Sequence, residues 1–218
     1  MIGREKVLED LKKSVETWNP PLMEDSLDVA ISIGLTPDEI VNDGLSEGME
    51  VIGDRFDHAE IYLPQVLAAS RVMERALSIL EPLILRGEKI YRGTVVMGTV
   101  QGDIHEIGKN VCCAMLRGAG YNVIDLGSDV KPRAFVEAAK DFDADILGCS
   151  ALMTTTLIVQ GDVVKAVREE KIPIYTIFGG APCSQDWVDR IGGDGYSSSG
   201  AGIVQLVSRL LHKEVEKL

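Results

Sequence analysis

The chain has 218 residues, of which 45% are hydrophobic, enough to bury a core in one larger domain or in two small ones. Its formal net charge of −12 repels the phosphates of nucleic acid and anionic lipid, so the charge argues against both as partners. The amino terminus shows no signal peptide and no apolar run is long enough to span a membrane, so we expect a cytoplasmic protein.

Helical patterns dominate the amino-terminal part of the chain. Thr36, Pro37 and Glu39 form the sequence of a capped helix start, in which the Thr36 and Glu39 side chains bond each other's backbone N–H groups. Gly44 and Gly48 on the same helix would let a neighbouring backbone approach closely. The predicted helices cover about 4–17 and 22–33, a third from residue 37 with an apolar stripe to residue 56, and a fourth from residue 64. Four helices with short connections predict a four-helix bundle, to which we assign residues 1–87.

After Gly93 the pattern changes to β-strands that alternate with helices. The predicted strands are 94–100, 122–126, 145–149, 174–178 and 195–196, and the predicted helices are about 107–118, 132–141, 157–170 and 201–216. This alternation indicates a parallel sheet covered by helices on both faces. Five strands favour a flavodoxin-like, Rossmann-type α/β domain with strand order 2-1-3-4-5 over residues 88–218, joined to the bundle by a linker at 85–92.

The predicted strand order places three polar loops at one edge of the sheet. The chain reverses direction between strands 1 and 3, and ligands of open parallel sheets bind beside that point, at the carboxyl ends of the strands. The loops there are 101–108 and 150–156, and loop 179–182 lies one strand further on. We therefore expect the functional site at this edge.

His105 is the most unusual residue of this edge, because the chain has only three histidines. Asp103 can accept a hydrogen bond from one imidazole N–H group, which leaves the other ring nitrogen free as a ligand or a base. No further His, Cys or carboxylate set completes a zinc site, so a single protein ligand suffices only if a macrocycle fills the other positions of the metal. Alternatively, Asp103 is a helix-capping residue beside an exposed loop histidine.

The motif Asp103-x-His105-x-x-Gly108, followed by Ser150-x-Leu152 and Gly179-Gly180 in successive loops, resembles the cobalamin-binding domain family, which includes that domain of methionine synthase. The resemblance implies that His105 replaces the cofactor's own benzimidazole as the cobalt ligand, and that the displaced nucleotide tail enters a slot beside the sheet. The implied cofactor-binding residues in this domain are Gly102, Asp103, Ile104, His105, Glu106, Gly108, Ser150, Leu152, Thr154, Gly179 and Gly180.

Asp103 and Thr156 are the implied catalytic pair, since the resemblance gives them a proton relay to His105. Methionine synthase has serine where this chain has Thr156, so the hydroxyl is kept and a methyl group is added. Residues 154–156 are also typical of an ordinary helix start, and both interpretations can hold.

A second resemblance lies in the helical part. The segments Gly48-Met49-x-Val51-Ile52-Gly53-Asp54-x-Phe56 and Tyr62-Leu63-Pro64-Gln65-Val66 are similar to the cap module of cobalamin-dependent methyltransferases. The resemblance implies that Phe56, Leu63 and Val66 cover the upper face of the corrin ring and shield the methyl–cobalt bond. Taken alone, these three residues are typical of an ordinary bundle core.

A cap followed directly by a cobalamin domain resembles the free-standing corrinoid proteins of anaerobic methyltransferase systems. That resemblance implies a carrier in one-carbon metabolism whose cobalamin or related corrinoid accepts a methyl group as cob(I)alamin and holds it as methylcob(III)alamin. The implied partners are a substrate-specific methyltransferase, an acceptor methyltransferase that serves a folate, pterin or thiol, and a reductive activator. The chain would then be a subunit and not a complete enzyme, with the hinge of the cap at 85–92. The methyl donor stays open among methanol, methylamines, aryl methyl ethers and betaines.

Three alternatives differ from this interpretation in testable ways. A cobalamin-sensing regulator would resemble the same two domains but would also carry a DNA-binding helix-turn-helix. Residues 1–35 are too short to show such a motif convincingly. Retention of the protein on DNA at low salt would favour this alternative. A cobalamin mutase subunit is not expected to have the cap. An Asp–His hydrolase needs a nucleophile, and Ser150 lies in no GxSxG nucleophile elbow.

Overall fold

A computed structural model describes residues 3–83 and 91–215. The chain divides into two compact units, a helical unit of Met1–Arg92 with Ala114–Tyr121 and a sheet unit of Gly93–Cys113 with Asn122–Leu218. The linker predicted at 85–92 lies outside the described residues except for Tyr91 and Arg92. In the part of the chain that the structure describes, no helix is both long and apolar enough to cross a membrane.

The helical unit confirms the predicted helices except at two places, the start of the second and the middle of the third. Its helices are α1 (Arg4–Glu16), α2 (Pro20–Ser32), α3 (Pro37–Ile40), α4 (Ser46–Asp57) and α5 (Leu63–Leu80), with a π-helical turn at Val41–Leu45 and a 3-10 turn at Glu81–Leu83. We predicted that α2 starts at residue 22, whereas it starts at Pro20. Asn19 caps this start by accepting a hydrogen bond from Leu22 N at 3.1 Å, and proline suits the first helical positions because no N–H is needed there.

The predicted third helix is capped as expected but is not continuous. Thr36 Oγ1 accepts a bond from Glu39 N, and Glu39 Oε2 accepts one from Thr36 N at 2.8 Å, so the capping box is present. The π-helical turn between α3 and α4 was not predicted. An added Cβ on Gly48 would lie 2.6 Å from Lys12 O, which confirms that this glycine admits a neighbouring backbone.

The sheet unit confirms the predicted topology. Its strands are β1 (Thr94–Thr99), β2 (Asn122–Asp125), β3 (Ile146–Ser150), β4 (Tyr175–Gly179) and β5 (Gly195–Tyr196). All neighbouring strands pair in parallel, in the order 2-1-3-4-5. The chain therefore reverses direction between β1 and β3, as the sequence predicts.

Five helices connect and follow these strands, and two of them differ from the prediction. They are α6 (Ile107–Gly118), α7 (Pro132–Asp141), α8 (Thr154–Glu169), α9 (Gln185–Ile191) and α10 (Gly200–Val215). Helix α8 starts three residues earlier than predicted, and α9 was not predicted because it has only seven residues. Signals for α9 exist, since Ser184 accepts a bond from Trp187 N and Gly192 ends the helix with a φ of 75°.

The main core of the sheet unit covers one face of the sheet. Alternate residues of β1, β3 and β4 point to this face, where they pack against α7, α8 and α9. The strand residues include Val96, Leu147, Cys149 and Phe178, all fully or almost fully buried. Their neighbours along each strand point to the opposite face, where the functional site lies.

Candidate functional site

Asp103 is the centre of the loops that meet at the carboxyl ends of β1 and β3. Its side chain is fully buried and accepts five hydrogen bonds. Oδ1 accepts from the backbone N of His105 at 3.1 Å and from His105 Nδ1 at 2.8 Å. Oδ2 accepts from Leu152 N at 2.8 Å, from Met153 N at 3.2 Å and from Thr156 Oγ1 at 2.7 Å. One carboxylate therefore joins the His105 loop to the start of α8.

His105 combines a bound ring nitrogen with an exposed one. Its Nδ1 donates to the Asp103 carboxylate, so Nε2 is the nitrogen that keeps a lone pair. The side chain is 47% exposed, and Thr99 Oγ1 holds the His105 backbone by a 3.0 Å bond to its carbonyl oxygen. This arrangement presents an oriented imidazole nitrogen that can bind a metal or accept a proton.

Two opposing effects act on the ionisation of Asp103. Burial raises its pKa, whereas the hydrogen bonds from Thr156, His105 and Leu152 lower it. The hydrogen bonds outweigh burial, so the pKa of Asp103 lies well below its usual range and the side chain is a carboxylate at neutral pH. A negative charge beside Nδ1 makes the imidazole a stronger ligand.

The helix-capping alternative for Asp103 is correct in part. Asp103 does accept bonds from two backbone N–H groups at a helix start. That helix is α8, about fifty residues further along the chain, and not the α6 that follows His105. The Met153 side chain at the N-cap position makes no hydrogen bond, so Asp103 supplies the missing acceptor. Capping and histidine orientation are thus two functions of one carboxylate.

Further charged residues, which sequence reasoning missed, anchor the His105 loop. Lys109 on α6 has no exposed side-chain surface, and its Nζ lies 2.7 Å from Asp125 Oδ2 and 3.7 Å from Glu106 Oε1. Gly102 N donates to Asp129 Oδ1 at 2.7 Å, with Asp129 at a φ of 55°. Asp125 is the last residue of β2 and Asp129 follows this strand, so the two acids tie the loop after β1 to the next strand. A non-glycine residue with positive φ carries no simple sequence signal.

A cavity of about 780 Å³ opens beside His105 within the sheet unit. Of the predicted cofactor-binding residues, those that line it are Ile104, His105, Glu106, Gly108, Ser150, Leu152, Gly179 and Gly180. Gly102, Asp103, Thr154 and Thr156 do not line the cavity. Thr154 is exposed at the start of α8. Gly102 and Asp103 belong to the His105 loop itself, and Thr156 contacts this loop through Asp103.

The inner part of this cavity has an apolar floor that the sequence did not reveal. Met97, Gly148 and Ile177 stand side by side in register on β1, β3 and β4, and all three line the cavity. Gly148 leaves the central place open, because an added Cβ would lie 2.3 Å from Met97 Sδ. We call this floor and its walls the slot.

Glycines and serines form the walls of the slot. Gly180 has a φ of 116°, and an added Cβ would lie 1.8 Å from Ala151 O, so only glycine fits there. A Cβ on Gly179 would lie 3.0 Å from Ser197 O. The loop 197–199 after β5 lines the opposite side, whereas only the loops after β1, β3 and β4 were predicted to form the site. A long group with polar atoms could enter between these walls and bond their hydroxyl and backbone groups.

The predicted cap residues lie in the helical unit. Phe56 near the end of α4 and Leu63 at the start of α5 are half-buried, whereas Val66 is fully buried. In the described part of the chain, no three His, Cys, Asp or Glu side chains are grouped to hold a bare metal ion. His58, at the end of α4, is exposed and its Nδ1 lies 2.7 Å from Asp54 O.

Two segments of the chain match known protein families. Residues 93–202 match the B12 binding domain family, and residues 7–81 match a second family that is also described as a B12 binding domain. These two matches cover most of the sheet unit and of the helices that precede it.

Curated relatives and a solved structure are similar over nearly the whole chain. Trimethylamine corrinoid protein 2 of Methanosarcina acetivorans is 37% identical, over 95% of this chain and 97% of that protein. A corrinoid protein of Desulfitobacterium hafniense is 38% identical, over 95% of this chain and 98% of that protein. A chain of the methanol:cobalamin methyltransferase complex MtaBC from Methanosarcina barkeri has a TM-score of 0.82 and 29% identity, over 96% of this chain and 81% of that chain.

Proposed function

Because the chain belongs to the B12-binding corrinoid proteins, we propose that it carries a methyl group on cobalt between two methyltransferases. The first would take the group from a specific substrate, and the second would deliver it to a folate, pterin or thiol acceptor. The observation that carries this proposal is the imidazole of His105, oriented by the buried Asp103 at the mouth of the cavity. We propose residues 1–87 as the cap and residues 88–218 as the cobalamin-binding domain.

The residues present fit a corrinoid in three respects. A single exposed imidazole nitrogen provides one metal ligand, which suffices when a macrocycle supplies four others. Exposed apolar side chains surround it, with Ile104 75%, Ile107 75% and Leu152 45% exposed, and a flat ring would cover them. The slot has glycines at Gly148 and Gly180 where a side chain would close it.

Each residue then has a definite task when the corrinoid is bound. The cobalt of a bound corrinoid supplies the methyl-transfer chemistry. His105 would hold the metal through Nε2, because Asp103 keeps the imidazole in the tautomer that leaves this nitrogen its lone pair. The Asp103 carboxylate, itself bonded by the Thr156 hydroxyl, would stabilise positive charge on the imidazole through the bond to Nδ1. Ser150 and the glycines of the slot would hold the nucleotide tail.

The cap residues are proposed to control access to the methyl group. Phe56 and Leu63 keep exposed surface, so they are better placed than the buried Val66 to touch a ligand. With a methylated corrinoid bound, such a cap would exclude water and slow loss of the methyl group, and it would have to open for each transfer.

The relatives suggest which donors to test first. Those named above are called corrinoid proteins, and none of them is described as a regulator. One of them is named a trimethylamine corrinoid protein, a further relative is named a dimethylamine corrinoid protein, and the solved complex is named a methanol:cobalamin methyltransferase. Methylamines and methanol are therefore the first candidates for the methyl donor, with a substrate-specific methyltransferase, an acceptor methyltransferase and a reductive activator as partners in an anaerobic cytoplasm.

The binding proposal is tested with a visible absorption spectrum of the full-length protein after mixing with hydroxocobalamin and desalting. We expect the wild-type protein to retain the corrinoid. His105→Ala should retain less of it or show a shifted spectrum, because the lower ligand is lost. His58→Ala is the matched control, since His58 is exposed and lies in the helical unit. Equal spectra for all three proteins would remove His105 from the ligand role.

The carrier proposal needs a second experiment with partner enzymes. The corrinoid-loaded protein is reduced and incubated with purified methyltransferases for methanol, monomethylamine, dimethylamine and trimethylamine, each with its isotope-labelled substrate. We expect one of these enzymes to transfer labelled methyl to the protein-bound corrinoid, and an acceptor methyltransferase to remove it. Corrinoid that stays unlabelled with every donor system, although free cobalamin is labelled in the same assay, would argue against a carrier of these methyl groups.

A further inference from the structure

A buried glutamine bonds the strand ends that form one wall of the slot. Gln160 on α8 has no exposed surface and does not itself line the cavity. Its Nε2 donates to Cys149 O at 3.2 Å, near the end of β3, and to Gly179 O at 3.0 Å, at the end of β4. One amide group therefore joins the carboxyl ends of two neighbouring strands.

The other side of the same amide is also fully bonded. Gln160 Oε1 accepts from Trp187 Nε1 at 3.0 Å and from Cys183 Sγ at 3.6 Å. Burial raises the pKa of the Cys183 thiol to about 11, so the thiol keeps the proton that it donates. With two carbonyl oxygens on one side and two donors on the other, only one orientation of the amide satisfies every partner. Gln160 thus links the two strands to the loop and helix that follow β4.

Gln160 bonds the peptide group between Gly179 and Gly180, and any movement of this group would change the slot. The carbonyl oxygen of Gly179 accepts a second bond, from Ala151 N at 3.1 Å. Gly180, the next residue, lies so close to Ala151 that no Cβ fits between them. Both glycines line the slot, so their position sets the wall against which a long group would lie. His105, by contrast, makes none of the hydrogen bonds of this amide and is held by Asp103.

We propose that Gln160 is a positioning residue for the nucleotide tail of the corrinoid. This inference rests on the proposed function and deepens it, because it assigns the positioning of one part of the ligand to a residue that does not itself line the cavity. The Gln160 amide keeps the Gly179 carbonyl turned toward α8, so the wall of the slot stays open for the tail. The corrin ring, which would lie at the His105 end of the cavity, does not depend on this amide. Gln160 therefore favours corrinoids with a complete tail over corrinoids without one.

The test compares two ligands that share the corrin ring and cobalt. Full-length protein is titrated with hydroxocobalamin, which has a nucleotide tail, and with cobinamide, which has none, and each Kd is read from the visible spectrum. In Gln160→Glu the carboxylate has no donor for Cys149 O and Gly179 O, so it repels both carbonyl oxygens. We expect the affinity for hydroxocobalamin to fall by at least about tenfold, and that for cobinamide by less than about threefold.

A second variant and a matched control complete the design. Gln160→Met keeps the length of the side chain without its hydrogen bonds, and we expect the same selective loss in a smaller amount. Gln185→Glu makes the same chemical change on the exposed α9, where Gln185 bonds Asp189, and should alter neither affinity. Thermal unfolding of each ligand-free protein shows which variants fold, and Gln160→Met carries the test if Gln160→Glu does not.

The outcomes separate this inference from the proposed function. A selective loss of hydroxocobalamin binding supports a positioning role. Equal losses for both ligands would show that Gln160 only stabilises the fold, and unchanged affinities would show that the amide does not control the slot; either result overturns the inference. A wild-type protein that binds neither ligand would instead contradict the proposed function itself.

Discussion

The two ends of the cavity are built in different ways. At the His105 end, one buried carboxylate organises the site through five hydrogen bonds to four residues, 105, 152, 153 and 156, which lie in two loops. At the slot end, the shape comes from missing side chains, with glycine at Gly148 and Gly180 and apolar neighbours at Met97 and Ile177. The His105 end, which we call the charged end, depends on a buried negative charge. The slot end depends on the space that missing side chains leave.

This difference predicts how each end responds to substitution. A network around a buried charge is sensitive to any change in the number of donors and acceptors. A slot formed by glycines is sensitive above all to added volume. The following substitutions test the two expectations separately, in order of decreasing effect on the free energy of unfolding.

Asp103→Asn should have the largest effect, at the charged end. The amide keeps the shape of the carboxylate, but its NH2 group must face either His105 or the N–H groups of α8, and all of these are donors. We expect the free energy of unfolding to fall by about 4 kcal/mol, together with loss of corrinoid binding. Urea unfolding of the ligand-free protein measures the first effect, and a change of less than about 1 kcal/mol would show that the network is dispensable.

Gly180→Ala should have the next largest effect, at the slot end. Its Cβ would overlap Ala151 O, and the φ of 116° is unfavourable for alanine. Strain and overlap together should cost about 3 kcal/mol of stability. Gly108→Ala is the matched control, because an added Cβ there meets nothing within 4 Å. Urea midpoints should differ clearly between the two variants, and equal midpoints would mean that the slot wall is not tightly packed.

Thr156→Val should have a moderate effect, at the charged end only. Valine keeps the volume but removes the Oγ1 donor to Asp103, which should cost about 2 kcal/mol. Thr156→Ser keeps the hydroxyl and loses one methyl group, worth about 0.8 kcal/mol of burial. A larger loss in the serine variant than in the valine variant would show that the methyl group matters more than the hydrogen bond.

Lowering the pH should weaken the charged end gradually. The pKa of Asp103 is lowered in the folded protein, so its carboxylate contributes stability above the unfolded value of about 3.9. That contribution is lost as the pH falls from about 4 toward the folded pKa. Urea midpoints between pH 7 and pH 3 should therefore fall more steeply for the wild-type protein than for Asp103→Asn. Parallel curves would show that the ionisation of Asp103 does not contribute to the pH dependence of the free energy of unfolding.

The charged end could be predicted from the sequence because its signals are local. Asp103 and His105 are two residues apart, and the strand order that brings Thr156 to them follows from alternating strands and helices. The role of Asp103 as the cap of α8 could not be predicted, since it joins residues about fifty positions apart. Asp129 and the buried Lys109 were missed because their bonding partners, Gly102 and Asp125, also lie in other elements of the fold.

The slot end could be predicted only in part. Gly179 and Gly180 stand out as a pair after a predicted strand. Met97, Gly148 and Ile177 become neighbours only through the register of three strands, which is a tertiary property and leaves no pattern in any one segment. The loop at 197–199 was missed although the strand before it was predicted, because serines after a strand are typical of an ordinary turn.

The central claim, that His105 is the cobalt ligand, is tested most directly by electron paramagnetic resonance. The protein is labelled with nitrogen-15 in its histidine rings and loaded with a cob(II) corrinoid of natural isotope content. An axial nitrogen-15 splits each cobalt line into a doublet, whereas natural nitrogen gives a triplet. We predict doublets in the wild-type protein and in His58→Ala, and their loss in His105→Ala. Triplets in the labelled wild-type protein would mean that the corrinoid keeps its own base, and would contradict the account.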